Sequence, residues 1–73
     1  MANSSDILKG YRSELNGKRD AKATILAVLL DNPTSIPEHV NIINEVDKLV
    51  GELAEIQDKI EMTDFLLKSK ESE

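Results

Sequence analysis

From Ile42 onward the chain returns to one face at alternating steps of four and three residues: Ile42, Val46, Leu49, Leu53, Ile56, Ile60, Thr63, Leu67. Only Thr63 in that series is polar. A strand, with its period of two, would scatter these side chains over both faces; a helix gathers them into one stripe. An a/d repeat held for more than three heptads is the pattern by which helices pack side by side along a seam. Ile43 and Val50 widen the stripe at e positions, so this helix is expected to meet more than one neighbour. Its start is marked by Ser35-Ile36-Pro37-Glu38, a capping-box spacing with proline in the first turn, where its missing N–H is not needed. A helix over 36–68 would be roughly 50 Å long at about 1.5 Å per residue.

Both prolines, Pro33 and Pro37, fall in the stretch between Asp31 and Pro37, and helix-favouring residues lie on either side of it. Before it, Ser4, Ser5 or Asp6 can cap a helix whose first apolar face is Ile7, Leu8, Tyr11 and Leu15. The polar stretch Asn16-Gly17-Lys18-Arg19-Asp20 then precedes Ala21 to Leu30, which is apolar nearly all round. Leu8, Tyr11, Leu15, Lys18, Lys22, Ile25 and Leu29 keep a/d spacing across the polar stretch, so one continuous helix is expected rather than two broken near Gly17. Gly10, Gly17 and Thr24 recur every seven residues as a line of small side chains. The expected architecture is all-α: a flexible start over 1–5, a helix over 6–31, a turn over 32–35, a helix over 36–68 and a frayed tail over 69–73. The two helices form an antiparallel, coiled-coil-like hairpin.

If the chain reverses near residues 33–34, facing residues have numbers summing to about 67, as an antiparallel hairpin requires. Ile25 then meets Ile42 and Tyr11 meets Ile56. On the flanks Lys22 meets Glu45, Arg12 meets Glu55 and Lys9 meets Asp58, while Asp6 with Glu61 and Arg19 with Lys48 are mismatched. The halves carry complementary charge: five basic and four acidic groups up to residue 34, four and ten after it. Surface pairs of this kind contribute about 0.2–1 kcal/mol each and orient helices more than they stabilise them.

A chain of 73 residues with one Tyr, one Phe and no Trp has few large side chains for a core, and the absence of Cys removes disulfides and thiolate metal sites as supports. Association is the remaining source of stability, most simply a homodimer in which two hairpins make a four-helix bundle. The apolar residues left over by the expected seam are Ala23, Leu26, Ala27 and Leu30 near the turn, Ile43 and Val50 at the e positions, and Met62, Phe65 and Leu66. In this register the second helix outruns the first, leaving Met62 onward without an intramolecular partner. These nine residues are the candidate partner and dimer interface.

Catalytic constellations are missing. His39 is the only histidine, no serine sits in a Gly-x-Ser-x-Gly context, and no Glu-x-x-His or His-x-x-x-His pair occurs. His39 is read as a surface or interface residue. Glu45, Asp47, Glu52, Glu55, Asp58 and Glu61 fall mostly on the outer face of the second helix and are read as a solvated coiled-coil surface. No enzyme activity, cofactor or metal is expected. No apolar run approaches the roughly 20 residues of a membrane span, and the first residues, Met1 to Asp6, lack the basic start and apolar core of a secretory signal, so a cytoplasmic location is expected. The net charge of −5 argues against general nucleic-acid binding. The expected function is a small α-helical interaction protein that self-associates and docks an unidentified partner protein, as an adaptor, chaperone or inhibitor of a larger assembly. The alternative is a dimeric hairpin that contacts RNA or DNA through Lys18, Arg19 and Lys22 on the first helix. In architecture alone the chain resembles the dimeric hairpins that regulate plasmid copy number and the helical-hairpin chaperones of type III secretion needles.

Overall fold

The computed structural model describes residues 3–32 and 39–71. Two α-helices run through them, α1 over Ser4–Asp31 and α2 over His39–Glu71, and they pack against each other as a hairpin. Pro33, Pro37, the Ser35–Glu38 capping box and the His39 side chain lie outside the described residues.

The start of α1 differs from the expectation. Its cap is Asn3, one residue ahead of the three candidates. The Asn3 side-chain oxygen accepts from the Asp6 backbone N–H at 2.9 Å, and the Asp6 carboxylate accepts from the Asn3 N–H at 3.5 Å. This reciprocal box satisfies two donors that a bare helix end leaves open, so residues 4 and 5 are helical rather than loose. α1 then runs unbroken through Gly17 to Asp31, where the Asn32 backbone N–H and side-chain amide both donate to the Val28 carbonyl. At the other terminus α2 continues past Lys68 to Glu71. Lys68 and Lys70 in its last turn complement the negative end of the helix dipole, and the Ser69 hydroxyl donates to the Phe65 carbonyl.

Along α2 the seam is the one the repeat dictates. Leu49, Ile56, Ile60 and Thr63 are buried, and Ile42, Val46, Leu53 and Leu67 are half-buried between them. The Thr63 hydroxyl is accommodated because it donates to the Lys59 carbonyl at 2.7 Å. The facing line of α1 takes a different frame from the one expected. Leu8, Leu15, Lys22 and Leu29 form one rank as foreseen, but the second rank is Ser5, Arg19 and Leu26, with Arg12 exposed at the same spacing, in place of Tyr11, Lys18 and Ile25. Leu26 is half-buried and Ile25 exposed.

The register is also different. Lys22 reaches Glu52 at 3.2 Å and Arg12 reaches Asp64 at 2.6 Å, pairs whose numbers sum to 74 and 76. The helices are antiparallel, but displaced by about one heptad from the sum of 67. Neither Lys22–Glu45 nor Arg12–Glu55 forms. Residues near 71 now lie level with the start of α1, so α2 does not outrun α1: beyond Met62, Thr63 is buried, Asp64 binds Arg12 and Leu67 lies beside the Arg12 level of α1. The physical reason is that a heptad seam is degenerate. Sliding one helix by seven residues returns a seam residue to every seam position, so periodicity alone does not choose between the two registers.

Leu15, Ile56 and Ile60 form the central cluster of the core. The molecule is a rod of 54 × 19 × 15 Å with a radius of gyration of 16.5 Å; a compact chain of this length would have about 11 Å.

Candidate interaction surface

A two-helix rod has two broad faces, one on each side of its seam. On the first, Lys9, Arg12, Ser13, Asn16 and Leu67 line an open groove of about 460 Å³, which the Arg12–Asp64 ion pair borders. On the second, Leu15, Lys18, Lys22, Glu52, Glu55, Ile56 and Lys59 line a smaller groove of about 170 Å³. Residues seven apart on a helix in such a pair share a face, which extends both descriptions along the rod. From Lys9, Asn16 and Ser13 the first face continues to Ala23, Leu30 and Ala27, and from Asp64 back to Val50 and Ile43. From Lys18 and its partner Glu14 the second continues to Tyr11 and Ile25 and to Ile7 and Val28; from Lys59 and Glu55 it continues to Leu66 and Met62. We call these the Asn16 face and the Lys18 face.

The nine expected interface residues are therefore divided. Ala23, Ala27, Leu30, Ile43 and Val50 come together on the Asn16 face, at the end nearest the chain reversal. Met62 and Leu66 lie on the Lys18 face at the opposite end, and Phe65 points away from α1 along the back of α2. All eight are exposed; Leu26 is half-buried because it belongs to the seam. Sequence reasoning missed Ile7, Tyr11, Ile25 and Val28, all exposed on the Lys18 face. The signal for them was present but ambiguous: with Ala21 to Leu30 apolar almost all round, the frame that buries Leu26 and exposes Ile25 differs from its rival by a single residue.

Electrostatics on this surface is local and balanced. Lys18 pairs with Glu14 at 3.2 Å, Arg19 with Asp20 at 3.8 Å and Lys22 with Glu52 at 3.2 Å. Glu52 is thus a seam-flanking partner, not part of a purely solvated face. Lys59 pairs with Glu55 at 3.0 Å, and the hydrogen bond and charge of that carboxylate raise the ammonium above its ordinary pKa. The line Gly10, Gly17, Thr24 faces solvent; a Cβ placed on Gly10, Gly17 or Gly51 would meet nothing within 4 Å. Among the described residues, no group of three or more His, Asp or Glu side chains is placed to hold a metal ion, and no helix is long and apolar enough to cross a membrane.

The balance of buried and exposed apolar surface is lopsided. Among the described residues four aliphatic side chains, Leu15, Leu49, Ile56 and Ile60, are buried, while ten large apolar side chains are between 41% and 64% exposed. The chain exposes 5517 Å², whereas a compact monomer of 8.1 kDa would expose about 4,500 Å². Comparison with protein-family models, with curated protein sequences and with solved structures finds no match.

Proposed function

We propose that this chain is a non-enzymatic α-helical interaction module, a hairpin that self-associates and docks a partner protein as a small adaptor, chaperone or inhibitor. The observation that carries this reading is the surface excess. Roughly 1,000 Å² more than a compact chain needs is left exposed, similar to the approximately 800 Å² that one partner contributes to a standard interface. The exposed surface of the described residues includes ten large side chains of Ile, Leu, Val, Met, Phe and Tyr, whose removal from water is the main driving force for association. Homodimerisation into a four-helix bundle is the simplest way for a rod of this shape to bury such a face.

Light scattering across a dilution series, with far-UV circular dichroism on the same samples, tests it. The expected result is a mass of two chains that falls towards one on dilution while helicity is retained. A mass of one chain at every concentration, with helicity and cooperative melting retained, would remove the basis for self-association. The alternative, contact with RNA or DNA through Lys18, Arg19 and Lys22, finds less support, because each of these cations already has a carboxylate partner. Leu30→Asp on the Asn16 face should weaken partner binding, whereas titration with RNA or DNA oligonucleotides should leave the mass and helicity of the chain unchanged.

A further inference from the structure

Resting on the reading of the chain as a self-associating module, we infer that the occupant of the Lys18 face is a second copy of the same chain, packed antiparallel so that α1 lies on α1. Three observations select this face and this occupant.

The first is the arrangement of its apolar residues. On α1 they form two groups, Ile7 with Tyr11 and Ile25 with Val28, all exposed. Each group is centred about nine residues from Lys18, or about 13 Å at 1.5 Å per residue. A two-fold axis crossing α1 near Lys18 therefore lays Ile7 and Tyr11 of one copy over Val28 and Ile25 of the other, at both ends at once. That is the self-complementarity an isologous interface requires. The Asn16 face lacks it: its apolar residues sit at the turn end, and its other half carries Lys9, Ser13 and Asp64, so the same operation would set apolar side chains on charged ones.

The second is charge. The chain carries −5 overall, which disfavours bringing two copies together. The middle of the Lys18 face is nonetheless neutral, with Lys18, Lys22 and Lys59 each paired to Glu14, Glu52 and Glu55 within 3.2 Å. The lysines that meet near the axis are compensated by their own carboxylates.

The third is area. The surplus of roughly 1,000 Å² per chain is about what each subunit gives up in a stable dimer, and four of the ten large apolar side chains exposed among the described residues, Ile7, Tyr11, Ile25 and Val28, lie on the α1 side of this face that the second copy covers, with Met62 and Leu66 flanking it. The Asn16 face, with Leu30, Ile43 and Val50, then stays open for a different protein.

Tyr11 makes the test possible without a label. It is the only tyrosine in a chain without tryptophan and lies on the Lys18 face. Acrylamide quenching of its fluorescence, followed through the same dilution series as the mass, should weaken as the dimer forms and recover as it dissociates. Ile25→Asp, placed twice in a symmetric interface, should raise the dimer dissociation constant by about a hundredfold or more, while Ile43→Asp on the other face should leave it unchanged. If the mass doubles while Tyr11 quenching stays constant, or if Ile43→Asp and not Ile25→Asp breaks the dimer, the assignment to the Lys18 face is wrong and the interaction reading stands. A single-chain mass at every concentration would overturn self-association and this assignment together. Because the quenching series uses the unsubstituted protein, the outcome does not depend on the folding of either variant.

Discussion

Truncating Leu15 interrogates the feature that defines this molecule, the register of α1 on α2. Leu15 is 3% exposed and is the only α1 member of the central cluster, against Ile56 and Ile60. Leu15→Ala removes three carbons, worth about 2.4 kcal/mol at ~0.8 kcal/mol per buried methylene. A sealed cavity would add to this, but Leu15 also lines the groove beside Lys18 and Lys22, so the vacated space opens to water. The expected loss is therefore about 2.5–3 kcal/mol, near the low end for Leu→Ala in a core. That corresponds to a fall of roughly 10–20 °C in Tm for a domain of this size. Urea melts followed by circular dichroism at one fixed chain concentration would measure it, since association adds to apparent stability. A double-mutant cycle locates the contact. Leu15→Ala with Ile60→Ala should be non-additive by about 0.5–2 kcal/mol, and Leu15→Ala with Leu49→Ala additive within about 0.5 kcal/mol. In the register one heptad away, Leu15 faces the neighbourhood of residue 52 and couples to Leu49 instead. Coupling to Leu49 without coupling to Ile60 would refute the packing described here.

Three further outcomes follow from local geometry. Gly17→Ala and Gly51→Ala should each stabilise by about 1 kcal/mol, seen as higher thermal midpoints, because both glycines are helical, neither has positive φ, and the added methyl meets open space. Asn3→Ala should cost about 1 kcal/mol by opening the capping box at α1, with loss of amide-exchange protection confined to its first turn. Glu55→Gln should lower the Lys59 pKa towards its ordinary value. Because the folded value is raised, the pair stabilises the native state below the unfolded pKa and that contribution is lost as pH rises through the folded one. The wild type and variant should therefore converge in stability above about pH 10.5, measurable by denaturant melts between neutral and alkaline pH.

Much of the fold is legible in the residues, and the places where it is not share one cause. The α2 seam could be read position by position because Glu, Asp, Lys and Gln crowd the rest of that helix, leaving one frame that keeps charges out. α1 offers no such contrast. Arg19 and Lys22 occupy half-buried seam positions, Arg12 keeps their spacing but is exposed, and Ala21 to Leu30 is apolar nearly all round. Placing Tyr11 and Ile25 inside was as consistent with spacing as placing Arg12 and Leu26 there. The candidate surface changes with the frame: the spacing turns Leu26 outward and sets Tyr11 and Ile25 in the seam, whereas the structure turns Leu26 inward and leaves Ile7, Tyr11, Ile25 and Val28 exposed. The expected overhang at Met62 failed for the register's sake, although Met62, Phe65 and Leu66 are exposed all the same.

Helical periodicity and the α2 stripe belong to the sequence by itself, because each rests on interactions within a few residues of one another. The tertiary structure decided the α1 frame and the register. Both depend on which side chains meet across the seam, and a seven-residue slide leaves every local preference as satisfied as before. Ion pairing of Lys22 with Glu52 and Arg12 with Asp64, together with the fit of Leu15 against Ile56 and Ile60, accompanies one of those arrangements and not the other. The two faces that the rod presents to partners follow from that choice.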